Sequence, residues 1–496
     1  MEEMEMHHND PQPLFLVGKR EWIFSAICLV SVLCLTNCVL YGGFALGFVV
    51  ADLVLTLASV CYLLSRGHKL TAYSGALLTL SLVITAGFAR SDDSFVKAVM
   101  LCFLAVAKNL GLCLLAEQNR RNPGCFSTLW DVPRTVFMLG MGNCEISLRS
   151  MVSSAKNSGK TGRIGGSLAL GAVIAAPLLV VVFVLLVRAD AAFSGLMDLL
   201  PKLDVGQILA TVFCGAMVFL LVFSRAVALH HSQKQPVPAG EKKGLYPMTV
   251  NTVLGALCLV YSVYLFSQLA YFVGGMQGIL PKEFTMAEYA RRGFFEMAWL
   301  CGINLFTIAI GIGVVRKETK VPLSTRFLCL FISLVTLFFV VTASAKMGRY
   351  IGSFGLSRLR VLTEVIMIFL AITTICVAVW LFAPRMPYMK AVLLTALVMG
   401  TLVLWVDVDS VVAAYNVSAY QNGVLDGIDI TYLINLSDGA VPYIARLTED
   451  ADPAVAAAAS RALRMRDYPI LEGFRDWNYA SHAAAEMMKQ ILTIWP

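Results

Sequence analysis

An all-α, polytopic transmembrane helical bundle of about eleven spans, ending in a small helical C-terminal extramembrane domain, is the fold class this sequence predicts. Three observations predict it. Of the 496 residues, 58% are hydrophobic and only 14% are charged, where soluble domains carry roughly a quarter. The mean hydropathy is +0.74. The apolar residues also fall in repeated runs of about twenty, the length a helix needs to cross a hydrocarbon core roughly 30 Å thick. A soluble helical protein has no use for so many uninterrupted runs.

Residues 1–21 read as a polar N-terminal tail, 22–406 as the transmembrane domain and 407–496 as an extramembrane C-terminal segment. Lys19 and Arg20 precede the first run like the start of a signal peptide. No small-residue cleavage site follows, and a second run begins at once, so an uncleaved helix is expected. The predicted spans are 22–41, 44–64, 70–88, 95–115, 166–187, 205–227, 249–273, 294–315, 323–345, 361–382 and 390–406. Only Gly42 and Gly43 separate the first two, as in a helical hairpin. After the last span, short helices are expected near 431–436, 441–447 and 453–463, separated by Asp and Gly. The stretch from Asp450 to Leu463 resembles one helix of a helical repeat, but a single copy does not make a repeat fold.

The formal net charge of +7 is no nucleic-acid signal, because basic residues in a membrane protein report topology. Counting each span-edge charge with its adjoining loop, the N-terminal tail and even-numbered loops hold 21 Lys and Arg, and the odd-numbered loops 11. The positive-inside rule then places the N-terminus in the cytoplasm and, with an odd span count, the C-terminal segment outside a cytoplasmic (inner) membrane. In the second inner loop, 126–139 mixes Phe126, Leu129, Trp130 and Phe137 with Asp131 and Arg134, as a short interfacial helix broken at Pro133 would. Residues 157–161 mimic the end of a phosphate-binding loop, but Ser154 stands where glycine is required and no strand precedes it; a basic loop meeting anionic lipid is the expectation. Residues 230–244 read as a linker.

The thirteen cysteines are mostly scattered through apolar spans, where they act as small hydrophobes, and the six histidines are dispersed. No spacing suggests a disulfide framework or a metal site, and no cofactor is expected. Charges inside spans are more informative, because an ionised group at the bilayer centre costs about 2.5–3.5 kcal/mol on insertion scales. Asp52 sits mid-span in the second helix and Lys108 deep in the fourth, and they are expected to pair, as a structural bridge or within a polar pathway.

Three polar clusters stand at the outer ends of spans. The first is Glu288-Tyr-Ala-Arg291-Arg292-Gly-Phe-Phe-Glu296, in which Glu288, Arg292 and Glu296 are successive i,i+4 neighbours on a helix, with Asn304 two turns further along. The second contains Arg349, Tyr350, Arg358 and Arg360, with Glu364 at i+4 from Arg360. The third is Asp407, Asp409, Tyr415 and Asn416. These residues suit either an anionic group such as a lipid phosphate or a self-satisfied network that ties helices together.

The same stretches, continuing through Leu425-Asp426, Tyr432-Leu433, Leu436 to Pro442 and Trp477-Asn478, resemble a bacterial family of polytopic inner-membrane proteins catalogued as a domain of unknown function. The resemblance runs in order through about the last two-thirds of the chain and implies the fold and a multi-pass inner-membrane location. It implies no activity, ligand or catalytic residue. Family members tend to carry an Asn-Pro lead into the outer acidic pair, where this chain has Val406-Asp407-Val408-Asp409.

Three function classes follow. A non-catalytic scaffold or sensor-like protein would use its C-terminal segment to contact an envelope partner, with membrane lipids as its other neighbours and no nucleic acid. A transporter or channel for a small solute would use Asp52 and Lys108, but the chain lacks the internal symmetry common in such folds. An enzyme acting on a lipid-linked substrate would use Glu288 or Glu296 as base and Arg292, Arg358 and Arg360 on a phosphate, although the first outer loop carries no acid.

Overall fold

The computed structural model describes residues 17–118, 131–157, 171, 182, 205–231, 246–276, 286–313, 322–467 and 473–494. Among them the chain is helical throughout, with no strand. The membrane helices are α1 (Lys19–Tyr41), α2 (Leu46–Ser65), α3 (Ala72–Gly87) and α4 (Ser94–Leu115). After α5 (Cys144–Asn157) come α6 (Val205–His231), α7 (Pro247–Met276), α8 (Met286–Gly313), α9 (Leu323–Phe354), α10 (Arg358–Phe382) and α11 (Tyr388–Val406). Nine of these helices are long and apolar enough to cross a membrane, and α3 is a shorter apolar helix of 16 residues. Ten of the eleven predicted spans thus have a helix at their position, and the fifth, 166–187, lies outside the described residues apart from 171 and 182.

Caps end the runs where the sequence turns polar. Thr71 closes a capping box on Ser74 at the start of α3, and the Asp93 carboxylate accepts from the Phe95 and Val96 amides to begin α4. Pro247 opens α7, at a position where a missing amide hydrogen costs nothing. Pro133 does not break its segment. It falls in the first described turn, and the ladder slips afterwards to a π turn over Arg134–Met138, so the chain stays helical to Gly142. His230 and His231 are not linker residues but the last turn of α6, where the His230 ring lies 3.2 Å from that of His68. Residues 158–161 and 232–244 lie outside the described residues.

The helices form two packed groups. The first unites α1, α2, α4 and α6 around Phe24, Leu63, Leu115 and Phe223, and extends to α3 and α11 through Leu77, Phe88, Met100 and Leu404. Helices α1 and α6 run antiparallel, Phe24 meeting Phe223 at one end and Asn37 donating to Thr211 at the other. The second group joins α7, α8, α9 and α10 around Leu254, Phe294, Phe339 and Met367. Inside it, Asn304 accepts from Tyr261 and donates to Thr336 at 2.9 Å, knotting three helices through a side chain with no solvent exposure.

Past α11 the chain turns sharply at Asp407 (φ 57°) into α12 (Val408–Gln421). Short helices follow: α13 (Ile430–Ile434), α14 (Val441–Arg446), α15 (Pro453–Met465) and α16 (Tyr479–Ile494). They share a core of Val412, Leu433, Ile444, Leu463 and Ala484, against which Leu356, Val361 and Val403 of the bundle also pack. The turn residues 42–45, 89–93 and 355–357 all meet this C-terminal unit. The Leu46 amide donates to the Trp477 carbonyl, and the Tyr479 and Ala480 amides donate to the Ala89 and Arg90 carbonyls. One end of the bundle is therefore its C-terminal face. At the other end, buried Glu21 accepts from the Gly18 amide and Tyr62 and pairs with Arg66.

Candidate functional site

Arg358, Asp409 and Asn416, from two of the polar clusters singled out in the sequence, meet on the C-terminal face, and local geometry explains how. Helix α9 ends at Gly355, whose φ of +72° suits glycine, and a Cβ there would stand 2.6 Å from Asn416 Oδ1. Asn416, on α12, pairs with both backbone groups of the next residue: the Leu356 amide donates to it at 2.6 Å, and it donates to the Leu356 carbonyl at 2.8 Å. Ser357 then caps α10, which puts Arg358 in the first helical turn.

Arg358 is the hub. Its Nε donates to Asp409 Oδ1 at 2.8 Å, and its Nη2 donates to the second carboxylate oxygen, a fork-on-fork pair. The same Nε lies 3.3 Å from Asp93 Oδ2, and the Arg358 amide donates to Tyr432 Oη at 2.9 Å. Asp409 is fully buried and also accepts from the Ser437 amide at 2.7 Å. Burial alone would raise the Asp409 carboxyl, but Arg358 and Ser437 outweigh it and hold it below the usual range. One guanidinium thus ties together the α3–α4 turn, α10, α12 and the C-terminal unit.

Three more carboxylates sit close by. Asp438 accepts from Arg466 at 2.9 Å and from Ser481 at 2.6 Å, and Arg466 also donates to the Ile434 carbonyl. Asp92 is raised to about 6, first by burial and then by the charges of Asp438 and Asp407. Asp407 is raised too, mainly by burial. Ser410 donates to its Oδ2 at 2.6 Å, while its Oδ1 is buried without a partner. No cluster of His, Cys, Asp or Glu among the described residues has the geometry to hold a metal ion.

Other predicted residues are placed differently. Arg360 does not pair with Glu364. It turns back to donate to the Phe354 and Gly355 carbonyls, and stacks 4.2 Å over Tyr350, because the end of α9 leaves carbonyls that need donors. Glu364 Oε1 is left buried and unpartnered. Arg349 and Glu296 are exposed, and both lie within electrostatic reach of Lys346. The backbone from Glu288 to Glu296 is helical, but the side chains of Glu288, Arg291 and Arg292 lie outside the described residues. In the bundle, Lys108 donates to Asp52 Oδ1 and Thr85 donates to Asp52 Oδ2 at 2.9 Å, so the carboxylate is occupied on both sides. The sequence reading missed Asp92, Asp93 and Arg466. A readable signal existed for the acidic pair: Ser91-Asp-Asp-Ser94 at the head of an apolar run is a helix-cap pattern.

A family model described as "Domain of unknown function (DUF4153)" matches residues 72–447. That range takes in Asp93, Arg358, Asp409 and Asp438, while Arg466 and Ser481 lie beyond it. No curated protein and no solved structure matches the chain.

Proposed function

The chain belongs to the DUF4153 family, and from that premise we propose that it is a non-catalytic scaffold or sensor-like protein of the cytoplasmic membrane. Its helical bundle holds the C-terminal unit against the extracytoplasmic end, where that unit contacts an envelope partner. The observation that carries this reading is the two-point pairing of Arg358 with Asp409. A guanidinium poised for substrate would keep its fork open, whereas this one closes its Nε and Nη2 edge on a buried carboxylate and faces Asp93. The Asp52–Lys108 pair, closed by Thr85, likewise fits a structural bridge better than a polar pathway. The excess of 21 basic residues over 11 supports the orientation.

Two measurements in intact cells test the proposal. A membrane-impermeant thiol reagent should label Arg464→Cys, on the exposed side of α15, from outside the cell. A photo-crosslinking side chain at Arg461 should give one discrete adduct with an envelope protein, lost on Arg358→Ala while the chain remains in the membrane. Labelling only after permeabilisation overturns the orientation. An adduct that survives Arg358→Ala removes the bundle from the partner contact.

A further inference from the structure

Beside the Arg358 hub, a cavity of about 930 Å³ opens between α12, α14, α16 and the α3–α4 turn. Two arginines line it, and their state contrasts with that of Arg358 and Arg466. Arg90 stacks over Tyr479, 5.6 Å from the ring centre, and Arg446 over Tyr443 at 5.2 Å. Neither side chain has a hydrogen bond or ion pair among the described residues, so two forks of N–H donors are open at the cavity. Each ring holds its guanidinium in place and leaves the edge donors free. The wall supplies a third polar element in Asp407, which is 6% exposed and carries the buried, unpartnered Oδ1. Burial raises its carboxyl.

The rim of the cavity is apolar. Val406, Val411, Tyr415 and Tyr479 are all exposed lining residues, and Val406 is the last residue of a membrane-spanning helix. The mouth therefore stands at the level where the hydrocarbon of the bilayer ends. A volume near 1,000 Å³ exceeds what a bare oxyanion fills and is of the size that holds a headgroup with the first part of its chains. Unpaired guanidiniums inside an apolar rim at the bilayer edge define an amphiphile with a phosphate head.

We propose that this cavity binds the phosphate headgroup of an anionic phospholipid, with Arg90 and Arg446 as its ligands and Val406, Val411 and Tyr415 against its chains. The inference stands apart from the scaffold reading, since it needs only the docked arrangement of α12, α14 and α16.

Native mass spectrometry of the full-length protein in detergent tests it, with phosphatidylglycerol, phosphatidylcholine and inorganic phosphate as probes. Phosphatidylglycerol should be retained at least about tenfold more than phosphatidylcholine, since only the first keeps a net negative head. Arg90→Gln/Arg446→Gln should reduce that retention about tenfold or more, with the thermal midpoint unchanged because both side chains are on the surface. Ala414→Phe, which fills the cavity and leaves both charges, should reduce it as well. Equal retention of the two lipids, or phosphatidylglycerol retention untouched in the double arginine variant, overturns the proposal. Occupancy by inorganic phosphate with no preference for the lipid overturns the lipid source and assigns the site to a soluble phosphate.

Discussion

Replacing Arg358 with alanine is the sharpest perturbation this architecture offers. The substitution strips the charge partner from Asp409, which has no solvent exposure, and from Asp93, whose side chain is 4% exposed. Breaking a buried pair from one side costs about 3–5 kcal/mol, because the remaining carboxylate stays buried and charged. Arg358 itself is 31% exposed, so solvent screens part of the interaction and the lower end, about 3 kcal/mol, is expected. The Ser437 amide, which donates to the same carboxylate at 2.7 Å, is a built-in reporter. A loss of about 3 kcal/mol in local stability should speed its hydrogen exchange by roughly a hundredfold, at about 1.4 kcal/mol per decade. Arg358→Lys keeps the charge and loses the fork, and should fall between. In a double-mutant cycle with Asp409→Asn, a coupling of about 2 kcal/mol is expected. A change in Ser437 exchange below about threefold, with a coupling under about 0.5 kcal/mol, would refute the idea that this residue holds the C-terminal unit in place.

Three further outcomes follow from the same geometry. Asp52→Asn or Lys108→Met alone should cost about 3 kcal/mol in detergent unfolding, and the double variant should recover much of it, because each single change strands a buried charge; strict additivity would contradict the pairing. Gly439→Ala puts a Cβ 1.9 Å from Asp407 Oδ2 and 2.5 Å from Ser410 Oγ. It should destabilise by about 1–3 kcal/mol in thermal melts, while Gly427→Ala, with open space around it, should be neutral. For pH, Asp92 has its folded value raised from 3.8 to about 6, so its contribution is full below its unfolded value and is lost as pH rises through about 6. Asp409 has the opposite sign, its contribution vanishing only as pH falls through its depressed value. Protease resistance of the C-terminal unit should therefore decline between about pH 4 and 6 in the parent protein, and Asp92→Asn should flatten that decline.

Much of the fold was legible because the bilayer imposes a length on each helix and a parity on each loop. Counting spans already puts the Gly42, Asp93, Arg358 and Asp407 regions on one face, and in the structure all four meet the C-terminal unit. Partner choice on that face was much less legible. Spacing suggests Arg360 with Glu364, but the free carbonyls at the end of α9 claim Arg360 instead. Arg358 finds Asp409 and Asp93 across long stretches of chain, where no short-range rule applies. Asp52 and Lys108 were the easier case. Two opposite charges deep in neighbouring spans have few alternatives in hydrocarbon. The two cavity arginines carried no signal, since an arginine in a turn or at a helix end is ordinary until the ring beneath it is seen.

The backbone bonds from Leu46 to Trp477 and from Tyr479 and Ala480 to the α3–α4 turn bear on how the protein is assembled. A membrane chain is threaded into the bilayer in the order of its synthesis, so α1 to α4 are in place long before the segment around Trp477 leaves the ribosome. Until then the turns of those helices hold unfilled donors and acceptors, and the Asp93 carboxylate faces no arginine. Maturation of the first helices thus waits on nearly the last, a contact order unusual for an all-helical protein.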